Sequence, residues 1–117
     1  MTAPKTARRT FTLQDASQLL PSVKLVTAEA VREAESLSRD LRAHTEADPR
    51  HQQLTEELNG VVRRWASQIE ELHLEPKGLW LVDFDNGEGY YCWRYPEDAI
   101  THFHGYDDGF AGRMKIV

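Results

Sequence analysis

"LWLVDFDNGEGYYCWRY", Leu79 to Tyr95, decides how this chain folds. Two apolar runs rich in aromatic and branched residues, "LWLVDF" and "YYCWRY", flank Asp85-Asn86-Gly87-Glu88, and Asn-Gly suits the positive φ angles of a type I′ turn. The stretch therefore reads as a β-hairpin. A two-residue turn at Asn86-Gly87 pairs Asp83 with Tyr90, Val82 with Tyr91, Leu81 with Cys92 and Trp80 with Trp93. Alternation then puts Trp80, Val82, Phe84, Tyr91 and Trp93 on one face, and Leu79, Leu81, Asp83, Tyr90, Cys92 and Arg94 on the other. Nine of the eleven aromatic residues lie between Trp80 and Phe110, so the sheet continues beyond the hairpin. "AITHFH", Ala99 to His104, is its third strand, reached through a turn over Pro96–Ala99.

Upstream the period changes from two to about 3.6. Thr12 can cap a helix, Asp15 stands three residues on where its carboxylate can reach back, and Phe11 with Ala16 forms the flanking apolar staple. A short first helix is expected through about Leu20, with a kink or restart at Pro21, which lacks the N–H a continuous helix needs. Val23, Val26, Ala30, Ala34, Leu37 and Leu41 then form one stripe, with Glu35 and Arg39 as an i, i+4 pair opposite. Asp48 is a cap and Pro49 a first helical residue. A second stripe runs Leu54, Leu58, Val61, Val62, Trp65, Ile69 and Leu72, and this helix stops before Pro76 and Gly78. Two helices of about 25 residues joined by a short loop form an antiparallel hairpin, with Trp65 and the leucines in the core.

The fold class is thus α+β: a long antiparallel helical hairpin, opened by a short N-terminal helix, followed by a small three-stranded antiparallel meander. The 117 residues suffice for one domain, spanning 11–117 behind a flexible tail over 1–10, with the helical hairpin at 11–75 and the meander and tail at 78–117. Fourteen basic residues against nineteen acidic ones give a net charge of -5, and only Lys5, Arg8 and Arg9 are gathered, so nucleic acid is a poor partner. The single cysteine, Cys92, excludes an internal disulfide and any CxxC motif. No run is apolar enough for a signal peptide or membrane span, and a cytoplasmic location is expected.

Both predicted sheet faces are substantially apolar, whereas one helical hairpin can cover only one. A homodimer would bury the remainder, as would a C-terminal tail folded over the open face of a monomer.

His102 and His104 stand two apart, with Cα atoms about 6.5–7 Å from each other on a strand, close enough to converge on one ion. A third ligand would have to come from Asp83, Glu97, Asp107 or Asp108. Asp83 interrupts an apolar strand and needs a partner, for which Arg94, Arg113 and His104 are available. Cys92 with His104 could pair nucleophile and base, but a lone strand cysteine reads first as a small core residue. "YDDG", Tyr106 to Gly109, reads as a turn. Arg113 follows "GFAG", where glycines allow close backbone approach and the guanidinium offers a planar anion-binding fork.

"FTLQDASQLLP" at the start, "LVDF" at 81–84, "CWRYPE" at 92–97 and "HGYDDGFAGR" at 104–113 together resemble the bacterial family catalogued as domain of unknown function 2203. The family carries no established activity, so the resemblance implies positions rather than a reaction. Those positions are Asp83, Cys92, Trp93, Arg94, Glu97, His104, Gly109, Phe110, Gly112 and Arg113. His102 falls where the family more often has an aromatic residue, and Pro96 where it more often has glycine, which takes His102 out of the shared set. The expectation is a polar pocket around Asp83, Arg94, Glu97, His104 and Arg113. It would hold a divalent ion such as zinc, nickel or manganese through Asp83, Glu97 and His104, or a small anionic ligand. No identifiable nucleophile argues for turnover. The alternative is a self-associating interaction module in which these polar residues only support the fold.

Overall fold

The structure, a computed structural model, describes residues 9–116. Residues 1–8 of the expected tail lie outside the described residues; just after the tail, Phe11 N–H donates to the Asp85 carbonyl at 2.8 Å, tying the start of the first helix to the end of a strand. Two long helices lead into a five-stranded antiparallel sheet. Helix α1 spans Leu13–Arg42 and α2 spans Pro49–Glu71. Strands β1 (Glu75–Gly78), β2 (Leu81–Asp85), β3 (Tyr90–Arg94), β4 (His102–His104) and β5 (Met114–Lys115) follow in the order 1-2-3-4-5.

Thr12 caps α1 through its hydroxyl, which accepts from Asp15 N–H, while the Asp15 carboxylate accepts from Thr12 N–H, completing a capping box. The expected short first helix is absent, because α1 runs unbroken through Pro21. The ring of Pro21 points to solvent, and Leu20 and Val23 on either side are buried. Burial of that continuous stripe outweighs the hydrogen bond that proline cannot donate to the Ser17 carbonyl. Asp48 caps α2 with Pro49 in its first turn, as expected.

The helices pack along Val23, Thr27, Ala30 and Ala34 against Val61, Trp65 and Ile69. Trp65 is 2% exposed, and its indole N–H donates to the buried Thr27 hydroxyl at 2.9 Å, so neither polar group is orphaned. One sheet face, carrying Val82, Phe84 and Trp93, completes this core.

The sheet departs from the expected meander in three ways. Glu75–Gly78 adds an edge strand, and an edge is where Pro76 is tolerated. Met114–Lys115 adds another beside β4, whose regular part is only His102–His104. The hairpin register is shifted by two residues, pairing Asp83 with Cys92, Phe84 with Tyr91 and Asp85 with Tyr90. The loop is four residues long because Asn86 closes it from within. Its Oδ1 accepts from Glu88 and Gly89 N–H, its N–H donates to the Gly89 carbonyl, and Gly87 takes φ +94°. A shift of two preserves the assignment of side chains to faces, while changing which residues stand opposite one another.

The second sheet face is covered by the chain itself. Residues 105–113 fold back across it, so that Tyr106 packs edge-on against Tyr90 and donates its hydroxyl to Asp85 Oδ1 at 2.7 Å.

Candidate functional site

Asp83, at the centre of β2, faces Cys92 on β3, and His104 on β4 stands opposite Tyr90. All three point away from the helices into the space beneath residues 105–113, and they are 1%, 0% and 3% exposed. Close approach of the backbone helps to seat His104. A Cβ on Gly89 would lie 2.5 Å from the His104 carbonyl oxygen, so no larger residue fits there without moving β4.

His104 reaches across β3 so that Nε2 lies 3.1 Å from Asp83 Oδ2, while Nδ1 lies 2.8 Å from the Gly105 carbonyl oxygen. A carbonyl only accepts, so Nδ1 carries a proton, and the contact between Nε2 and Oδ2 requires one further proton held by one partner or the other. Burial pushes the Asp83 carboxyl above its usual range, opposed by His104, which favours the charged form. Asp83 Oδ1 accepts no hydrogen bond of ordinary geometry, although it is fully buried. The Cys92 thiol can offer it only a weak one. Burial and the nearby Asp83 charge push that thiol up to about 12, against the pull of Arg113, whose guanidinium nitrogen lies 3.9 Å from Sγ. Unassisted, Cys92 is protonated at neutral pH and is no nucleophile.

The residues singled out from sequence fall into two groups. Asp83 and His104 come together. Glu97 instead pairs with Arg113 through both carboxylate oxygens, at 3.2 Å to Oε1 and 2.5 Å to Oε2. Burial would raise the Glu97 carboxyl, but the bidentate guanidinium and the Arg94 N–H at 2.9 Å outweigh it and hold the carboxyl below its usual range. Arg113 stacks on Phe110, 4.3 Å from the ring centroid, with the exposed Arg94 over the same ring at 5.4 Å. Arg94 thus reaches Glu97 with its backbone, and His102, opposite Cys92, is half-buried with Nδ1 against the Thr101 hydroxyl. Asp107 and Asp108 are exposed, and Asp108 closes the turn onto Gly105 N–H.

The ligand-type atoms of Asp83, Cys92 and His104 all lie within 4.8 Å of one another. The residue pattern alone reads Cys92 as core packing, and only the family resemblance marks its position; the observed register, with Cys92 opposite Asp83, is what ties it to His104 and Asp83. Asp85 and Tyr106, which the sequence pattern places in turns, both belong to this face. Above Asp83 and His104 opens a pocket of about 220 Å³, with Leu81, Tyr90, Tyr106 and Phe110 as walls and Lys77 at the mouth. Lys77 lies 5.0 Å over the Tyr90 ring and 3.0 Å from Glu75 Oε1, which also accepts from the Tyr90 hydroxyl.

This is a small α+β domain with a buried Asp-Cys-His group beneath a strap of its own chain. The family model described as "Uncharacterized conserved protein (DUF2203)" matches residues 9–116, and the chain belongs to that family. No curated protein and no solved structure matches it. No helix among the described residues is long and apolar enough to cross a membrane.

Proposed function

We propose that this domain binds a divalent transition-metal ion through Asp83, Cys92 and His104. The observation that carries the reading is the unsatisfied, fully buried Asp83 Oδ1 within a group that offers one oxygen, one sulfur and one nitrogen inside 4.8 Å. Zinc–ligand bonds of about 2.0–2.3 Å put ligand atoms roughly 3.2–3.8 Å apart around a tetrahedral ion, so the three side chains need close by only about 1 Å. Gly105 already fixes the His104 tautomer that leaves Nε2 for the metal. A thiolate in the set favours zinc, cobalt or nickel over manganese. Cys92 takes the place that sequence reasoning assigned to Glu97, which Arg113 occupies. Binding would release the thiol proton and the proton shared by Asp83 and His104, so affinity rises with pH.

Cobalt titration of metal-stripped protein tests this. A thiolate-to-cobalt charge-transfer band in the near ultraviolet, absent from Cys92→Ser and His104→Ala variants, is expected, together with a higher Tm in zinc. Absence of both in folded wild-type protein would defeat the reading.

The competing reading is a homodimeric module whose polar residues serve only the fold. It is favoured by Leu25, 63% exposed on α1, an apolar side chain that a second copy would cover. Light scattering at micromolar concentration separates a 13.5 kDa particle from one of twice that mass.

A further inference from the structure

The pocket gives the metal reading a ligand chemistry. Asp83 and His104 are among the side chains that line it, whereas Cys92, opposite Asp83 on the same sheet face, is not. Three protein ligands leave a tetrahedral ion one position short, and because two of the three line the cavity, a molecule held there is within reach of that position. Charge then decides what enters. A dication bound by Asp83, thiolate Cys92 and neutral imidazole is locally neutral, because the two anionic ligands cancel it. Among the cavity-lining groups, Lys77 is then the cation whose charge no ligand bond neutralises, although Glu75 screens it at 3.0 Å.

The walls are apolar and aromatic, contributed by Leu81, Tyr90, Tyr106 and Phe110. The hydroxyls of Tyr90 and Tyr106 are already directed to Glu75 and Asp85, so the rings present faces and edges rather than free donors. A volume of about 220 Å³ holds a molecule of roughly ten non-hydrogen atoms and no more.

Building on the metal reading, we infer that the pocket binds a small carboxylate with an apolar, preferably aromatic, body. One carboxylate oxygen takes the open metal position, the body fills the space between Leu81, Tyr90 and Phe110, and Lys77 at the mouth draws the anion in. The carboxylate is bound as an exchangeable ligand in place of solvent; no bond within it is broken.

The experiment uses cobalt-loaded protein, titrated with benzoate, acetate and benzyl alcohol while the visible cobalt bands are followed. Benzoate is expected to shift the bands and to bind about tenfold more tightly than acetate, through burial of its ring. Benzyl alcohol, which matches the body without the charge, is expected to leave the bands unchanged at the same concentrations. Lys77→Met should weaken both carboxylates several-fold, and Phe110→Ala should weaken benzoate but not acetate; each variant must retain the charge-transfer band, which shows that the metal group is intact. Persistent charge transfer with no response to either carboxylate overturns the pocket inference and leaves the metal reading standing. Equal binding of benzoate and acetate, unaffected by Phe110→Ala, shows an anion at the metal without use of the cavity and also overturns it. A missing charge-transfer band removes both readings together.

Discussion

At Asp83, stability and function pull in opposite directions. A carboxyl buried to 1% exposure is held above its ordinary range by burial, and one of its oxygens goes unsatisfied. The native state therefore keeps this proton to higher pH than the unfolded chain does. Between the ordinary carboxylate value near 4 and the raised native value, folding takes up protons, so the residue's contribution falls as pH climbs through that interval. Asp83→Asn removes the charge and supplies an amide N–H that can donate to His104 Nε2. Metal-free Asp83→Asn protein is expected to melt a few degrees above metal-free wild type at pH 7, with the two curves converging as pH falls toward about 4. The same variant should lose the stabilisation by zinc seen in wild type. Melting curves from pH 4 to 8, with and without zinc, check both parts; a variant less stable at pH 7 would mean that His104 stabilises the carboxylate by more than burial costs it.

At the scale of the elements, interruptions in the pattern carry the information. The helical hairpin was legible because its apolar stripes, caps and the Asp48-Pro49 start agree with one another. Pro21 misled because its local cost was weighed without the buried Leu20 and Val23 that flank it. That cost is still present in the fold. Pro21→Ala restores a donor to the Ser17 carbonyl at an exposed site and is expected to stabilise by about 1–3 kcal/mol, read as a higher midpoint in urea. Among the described residues, two hold φ near +65° without being glycine, and they should respond oppositely to replacement by it. His73, exposed just after α2, carries a left-handed penalty that no ring contact among the described residues offsets, so His73→Gly should be neutral to stabilising by up to about 1 kcal/mol. Trp80 packs edge-on against Trp65 at 5.0 Å, so Trp80→Gly should cost about 3 kcal/mol or more despite the relieved backbone. A stabilised Trp80→Gly would show that backbone strain, not packing, decides at that position.

In the whole molecule, the strap over the second sheet face is what local reading could not supply. Alternation correctly assigned Asp83, Cys92 and Arg94 to one face, because the register error was even. It could not show that residues 105–113 return across that face, since "YDDG" and "GFAG" are turn-like on any surface. His104 and Arg113 were both visible as chemistry, but their partners depend on contacts 21 and 16 residues away. The Glu97–Arg113 pair anchors the strap, and the Arg113 guanidinium also reaches the Cys92 sulfur at 3.9 Å. Both side chains are mostly buried, at 26% and 16% exposure, so removal of one strands the other. Arg113→Ala is expected to cost about 2–3 kcal/mol at pH 7. Its pH dependence follows from Glu97. A carboxyl held below its usual range stabilises the fold above the unfolded value near 4.3, and that contribution is lost as pH falls through the native value. Arg113→Ala should therefore flatten the acid limb of the melting curve between about pH 5 and 3, and Glu97→Gln should flatten it in the same way. Adding the two substitutions together should cost clearly less than the sum of the singles, since each removes the same contact. Unchanged acid limbs in both variants, or full additivity, would show that the strap is held by Tyr106 and Phe110 rather than by the ion pair.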